Sequence, residues 1–196
     1  MQRIEKTVFI SYRRTHVAWA LAIFQNLTNR GYDVFFDYKG IASGDFESAI
    51  LENIKARAHF LVLLTPSALE HCSDPADLFR REIETALSNR RNIVPLKLEG
   101  FDFGTPRIAS QLTGTLTLLQ RYNGLSVTAE CFDENMHRLR EKCLNVPLET
   151  VLHPPSPAAE QAAKVEQTAA ANAALVPTSK LHMHWFLRLF IKVWLS

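Results

Sequence analysis

The run "HFLVLLT" (59–65) decides how this chain of 196 residues is read. Its apolar residues follow one another without polar alternation, the mark of a strand buried rather than half exposed. Similar runs occur outward from it, at "TVFISY" (7–12), "DVFFDY" (33–38), "NIVPLKL" (92–98) and "GTLTLLQRY" (114–122), and together they predict five buried strands. The segments between them have helical character over 16–29, which Gly31 closes as a C-terminal cap, over 46–57 and over 66–90, and a last helix is expected over 130–144. Strand alternates with helix, so the architecture expected is α/β: a parallel sheet covered on both faces and joined by right-handed crossovers. Pro95 lacks a ladder donor and predicts a bulge or a position near the sheet edge.

A hydrophobic content of 47% over this length supports one well-formed core rather than two. The net charge of +2, with Lys and Arg dispersed, points to no nucleic-acid partner. Cys72, Cys131 and Cys143 are odd in number and far apart, which argues against a disulfide framework or a zinc site and fits a reducing cytosol. The start, "MQRIEKTVFISYRR", is unlike a secretory signal, so a cytoplasmic location is expected.

Composition changes after Pro147, and the domain is expected to span residues 1–147. Residues 148–179 are rich in Ala and Pro with few large apolar side chains, and read as a linker. Residues 180–196, "KLHMHWFLRLFIKVWLS", place Lys180, His184, Arg188 and Lys192 on one polar stripe of a helix with Trp185, Phe186, Phe190 and Trp194 on its other faces. This stretch is short for a membrane span of about twenty apolar residues. An amphipathic helix on a membrane surface, a helix packed against another domain or a sensor, and the start of a longer hydrophobic segment all remain open.

In an open α/β sheet, ligands bind beyond the carboxyl ends of the strands. "SYRR" puts Arg13 and Arg14 there, where paired guanidinium groups suit a pyrophosphate. Gly40 and Gly44 bracket a loop above the sheet, followed by Phe46 at a helix start. In "DLFRREIETALS" (77–88), Phe79, Ile83, Ala86 and Leu87 mark the buried face. Glu84 stands four residues after Arg80, an ordinary solvated ion pair. Glu82 borders the apolar face with no cation one turn away, which makes it the carboxylate to consider for function.

"VFISYRR", "DYKGIASGDFESAI", "TPSALEHCSDPADLFRREIETALSNRRNIVPL" and "RYNGLSV" together resemble a TIR (Toll/interleukin-1 receptor) domain over about residues 6–144. They are most similar to the NAD-cleaving branch that includes the animal axon-degeneration protein SARM and many bacterial TIR proteins. The resemblance implies a flavodoxin-like fold, with Glu82 as catalytic acid. It also implies contacts to the dinucleotide from Tyr12, Arg13 and Arg14, from Ala42, Ser43, Gly44 and Phe46 in the loop, and from Leu78. Two positions depart from the family pattern. Leu78 stands where an aromatic commonly precedes the glutamate by one turn, and Ala42 replaces an acid.

The activity implied is cleavage of the nicotinamide–ribose bond of NAD+, taken as substrate, with no separate cofactor and no metal. The product is ADP-ribose or a cyclic form, and the resemblance implies activation by self-assembly with other TIR domains, in NAD-depletion signalling or bacterial immunity. A noncatalytic TIR adaptor is the main alternative. A receiver domain fits poorly, because the first strand ends in "SYRR" rather than an acidic cluster and the third in "LLTPS" rather than a phosphoacceptor Asp.

Overall fold

The computed structural model describes residues 6–37 and 46–146. The loop over 38–45, the linker over 148–179 and the helix expected over 180–196 lie outside the described residues. Among the described residues no helix is long and apolar enough to cross a membrane.

Five strands, β1 (Thr7–Ser11), β2 (Asp33–Phe35), β3 (His59–Leu64), β4 (Asn92–Lys97) and β5 (Leu125–Ser126), form one sheet in the order β2-β1-β3-β4-β5. Every pairing is parallel; Val8 lies opposite Val34 on one side and His59 on the other. All six residues of β3 are buried, as its unbroken apolar run requires. Phe60, Val62 and Leu64 point into one core, beneath α2 (Phe46–Ala56), α3 (Leu78–Ser88) and α4 (Pro106–Gln111). Leu61 and Leu63 point into the other, beneath α1 (Val17–Thr28) and α5 (Phe132–Arg138). The architecture is therefore the flavodoxin-like α/β sandwich, with helices on both faces.

The helix ends follow local chemistry. Gly31, at φ +80°, turns the chain after α1, where Tyr32 N–H donates to the Leu27 carbonyl at 3.1 Å. The helix expected over 66–90 is confined to α3, and the residues before it form turns. Pro75 interrupts that stretch, and Asp77 caps α3 by accepting from the Arg80 N–H at 2.9 Å. The helix expected over 130–144 is α5 followed by a π-helical turn, Leu139–Leu144. The short α4, which begins with Pro at its first turn, was not foreseen.

One strand was misplaced. "GTLTLLQRY" is not β5; Gly114–Arg121 form a 3₁₀ helix, and β5 is the two-residue stretch beside Leu96 and Lys97. The β-branched and apolar composition hid a period of three: Leu116 and Leu119 are buried while Thr115 and Thr117 face outward. Gly114 starts the helix at φ +58°, and the Thr117 hydroxyl donates to its carbonyl at 2.8 Å.

Pro95 sits on the strand next to the edge. The amides of Asn92 and Leu98 donate toward β3, to Ala58 and Leu64, so alternation turns the Pro95 nitrogen toward β5, where pairing begins only at Leu96. The missing donor thus forfeits no bond to β3. Gly124 lets the chain pass close by: a Cβ there would lie 3.0 Å from the Pro95 carbonyl oxygen and 3.3 Å from its Cβ. Gly124→Ala is expected to force β5 off the sheet and destabilise the fold by about 1–3 kcal/mol. A urea midpoint equal to wild type would show that the sheet edge yields freely.

Candidate active site

The site begins where β1 ends. Ser11 is its last residue, and α3 crosses above it with a buried stripe of Phe79, Glu82, Ile83 and Ala86. Three of these are what a core position calls for. The fourth is a carboxyl group, 8% exposed, whose Oε2 accepts a 2.5 Å hydrogen bond from the Ser11 hydroxyl. The wheel placed Glu82 at the border of the apolar face; the helix sits deeply enough on β1 to draw it inside.

Burial dominates its acidity. Desolvation raises the Glu82 pKa from the ordinary 4.5 to about 8, against the Ser11 hydrogen bond, which favours the charge. Asp37 raises it further, Arg13 lowers it, and Asp77 raises it. At neutral pH the group is therefore mostly a neutral acid in the free protein. Glu84 behaves as expected from its spacing, pairing with Arg80 at 2.9 Å along the outer face.

Arg13 is bound into the scaffold at the cleft wall. Its Nη1 and Nη2 bond both oxygens of Asp77 at 2.7 and 3.0 Å, and its Nε donates to the Ala68 carbonyl at 2.7 Å. Nη2 also approaches Cys72 Sγ at 3.5 Å, and the guanidinium lies 4.7 Å from the centre of the Phe79 ring. These contacts tie it to the scaffold, with its side chain still on the cleft wall. Burial pushes the Cys72 thiol up to about 12, so it stays a thiol. Burial also works against the Asp77 charge, but the hydrogen bonds from Arg13 and the Arg80 amide outweigh it and hold its pKa below the usual value. Arg14 is the accessible cation: 63% of its side chain is exposed, and it pairs with Asp37 at 2.8 Å. The Tyr12 hydroxyl donates to the Asp37 carbonyl at 2.5 Å, fixing the chain just after β2.

Tyr12, Arg13, Arg14, Leu78 and Glu82 meet on the wall of one cleft of about 190 Å3. The remaining loop candidates cannot be placed: Ala42, Ser43 and Gly44 lie outside the described residues, and Phe46 is seen only as the first residue of α2. Sequence reasoning missed three neighbours. Ser11 stood inside the "SYRR" motif, Asp37 at the end of the second apolar run, and Phe79 beside Leu78. Phe79 supplies an aromatic wall to the cleft next to the leucine that departs from the family pattern. Among the described residues no cluster of three or more His, Cys, Asp or Glu is placed to hold a metal ion. The arrangement offers one buried acid beside apolar and aromatic walls, with an exposed cation at the rim.

Known proteins are similar to this chain in sequence. The chain is 33% identical over 122 residues to the NAD(+) hydrolase tir-1 of Caenorhabditis elegans, covering 60% of this chain and 12% of that protein. It is 32% identical over 123 residues to the NAD(+) hydrolase sarm1 of Drosophila melanogaster, with 61% and 9% covered. The match to the NAD(+) hydrolase SARM1 of Danio rerio is 29% over 136 residues, with 67% and 18% covered. The chain thus spans less than a fifth of the length of these curated relatives. The TIR domains of the activated Roq1 resistosome recognizing the pathogen effector XopQ align over 81% of this chain and 97% of that one, at 19% identity and a TM-score of 0.40. The region from β1 into the π-helical turn, which carries Ser11, Arg13 and Glu82, coincides with the stretch, residues 8–139, that matches the family model for the TIR domain, and the chain belongs to that family.

Proposed function

We propose that this chain cleaves NAD+ at the bond between nicotinamide and ribose, with Glu82 as the catalytic carboxylate. The observation that carries the reading is a single ionisable carboxyl group at a core position of α3, opening on a cleft between Phe79, Leu78 and the end of β1. The relatives named NAD(+) hydrolase support the same substrate.

A lone carboxyl group suffices because the leaving group is already cationic. As the C–N bond breaks, its electron pair returns to the ring nitrogen and nicotinamide departs neutral, so no acid need protonate it. This differs from ordinary glycosidases, where an acid must protonate a neutral leaving oxygen. Positive charge then develops on the ribose carbon and ring oxygen, beside Glu82. A carboxylate there stabilises it and accepts from the ribose hydroxyls. Addition of water gives ADP-ribose and releases one proton; attack by the adenine in its place gives a cyclic product.

The raised pKa fits this order of events. The neutral acid of the free protein loses its proton when a pyridinium cation enters the cleft, because an opposite charge a few ångströms away in a dry site favours the ionised form. NADH, which lacks both the charge and the leaving group, gains neither. The cleft is also small beside the roughly 300–1,000 Å3 of sites that enclose drug-sized ligands. That supports the further reading that assembly with other TIR domains completes the wall around the dinucleotide.

Nicotinamide release from NAD+ by concentrated or bead-clustered protein tests the proposal. Glu82→Gln is expected to lower it by a factor on the order of 10²–10⁴, and Glu84→Gln by no more than a small factor. Folded protein that releases no nicotinamide under any clustered condition would favour the adaptor reading.

The same proton has a signature in stability. With a folded-state pKa of about 8 against an ordinary 4.5, the native protein keeps a proton that the unfolded chain gives up, so stability declines as pH rises from about 4.5 to about 8 and then levels. Glu82→Gln removes this slope. At about 1.4 kcal/mol per pH unit, the variant is expected to exceed wild type by a few kcal/mol at pH 8 and to match it near pH 4.5. Denaturation curves whose difference is constant across that range would contradict the buried acid.

A further inference from the structure

Ser11 and Glu82 are the two buried polar side chains that meet across β1 and α3. Ser11 is 1% exposed, and its backbone is paired with Val62 in the β1–β3 ladder, so its hydroxyl starts from a fixed point. That hydroxyl donates to Oε2 of Glu82. The other oxygen, Oε1, accepts no hydrogen bond among the described residues, and Glu82 lies on the cleft wall. The carboxyl group is thus held by one oxygen and presented by the other.

The geometry points to Ser11 as a positioning residue for the reaction at Glu82: its hydroxyl anchors Oε2, turns Oε1 toward the ribose and favours the ionised form of the carboxylate over the neutral one. This rests on the NAD+-cleaving reading and adds to it the group that sets the orientation and proton affinity of the acid. Without an anchor, a glutamate carboxyl rotates about its last side-chain bond, whose torsional preference is broad and twofold. With Oε2 engaged, one oxygen faces the cleft in the same plane at every turnover.

The charge argument runs in the same direction. A hydrogen bond to a charged group is strong enough to move the acidity of its acceptor by about one to two pH units. Four ionisable groups surround the pair. Arg13 favours the Glu82 charge, and Asp37 and Asp77 oppose it. Arg14 faces Asp37, which it pairs, and Asp77 is paired with Arg13. Ser11 is the hydrogen-bond donor to Glu82 among the described residues, and it carries no charge that a shift in salt or pH could remove.

Ser11→Ala in the full chain tests the assignment by two readouts. The first is the pH dependence of kcat/KM for nicotinamide release, which reports the free enzyme. The limb on which activity rises with pH is expected to move up by about one to two pH units, with a loss of about tenfold or more at pH 7 that narrows toward pH 10. The second needs no substrate: carboxyl carbons labelled with ¹³C give the Glu82 titration directly, assigned by its absence in Glu82→Gln, and its midpoint is expected to rise by the same amount. Ser11→Cys, a weaker donor of similar size, is expected to fall between and guards against a packing defect in the alanine variant. A Glu82 midpoint unmoved in both variants would overturn the role of Ser11. Wild-type protein that releases no nicotinamide while the midpoint still moves would instead remove the catalytic reading and leave the Ser11–Glu82 coupling standing.

Discussion

The clamp between Arg13 and Asp77 joins the sheet to the helix that carries the acid. Asp77 has two tasks: its carboxylate ends the turns before α3 by capping the helix, and the same oxygens receive the Arg13 fork. The guanidinium plane rests over Phe79, two residues into α3, and its Nε reaches the Ala68 carbonyl after β3. One arginine therefore links the end of β1, the exit of β3 and the start of α3. Both partners of the ion pair are largely shielded from solvent, a setting in which removing one partner leaves a desolvated charge behind. The placement of Glu82 above Ser11 follows from this joint, since α3 has one end fixed and its apolar stripe determines its rotation.

The topology explains why the cleft lies on this side of the sheet. The strand order reverses between β1 and β3, and open α/β folds commonly bind ligands in the crevice at that reversal. Here its upper edge is bridged by His16 from the turn after β1 and Thr65 after β3, whose Nε2 and Oγ1 lie 3.0 Å apart. Trp19 and Glu99 continue that polar contact at 3.1 Å toward α1. The open space is accordingly displaced over β1 toward α2 and α3. There Phe9, Ile50 and Phe79 supply apolar walls and Asp37 with Arg14 a charged rim.

What the sequence disclosed follows how local each signal was. The run at 59–65 needs no partner to be recognised, because burial on both faces shows as unbroken apolarity. Glu82 was separable from Glu84 by helical spacing alone, since Arg80 lies one turn before the latter. Three features depended on tertiary contact and were not legible. The 3₁₀ helix at Gly114–Arg121 looks like a strand until the buried positions, Leu116 and Leu119, reveal a period of three. The structural clamp of Arg13 shows only once Asp77, 64 residues away, is found opposite it. Ser11 gives no sign of its role without Glu82, 71 residues on.

The site illustrates a trade between stability and reactivity. An apolar residue at position 82 would complete the stripe of α3 and remove a desolvated carboxyl group from the interior. Retaining an acid there sets its proton affinity high, which makes it responsive to the charge of whatever enters the cleft. A glutamate such as Glu84 lacks that property: it is partly exposed and already has Arg80 as a partner, so an arriving cation would change little. In the proposed reaction the loss of stability and the selectivity for a cationic substrate thus have one cause, the desolvation of a single carboxyl group. Ser11 and Arg13 are the two groups that keep that desolvation from preventing ionisation when the substrate is present.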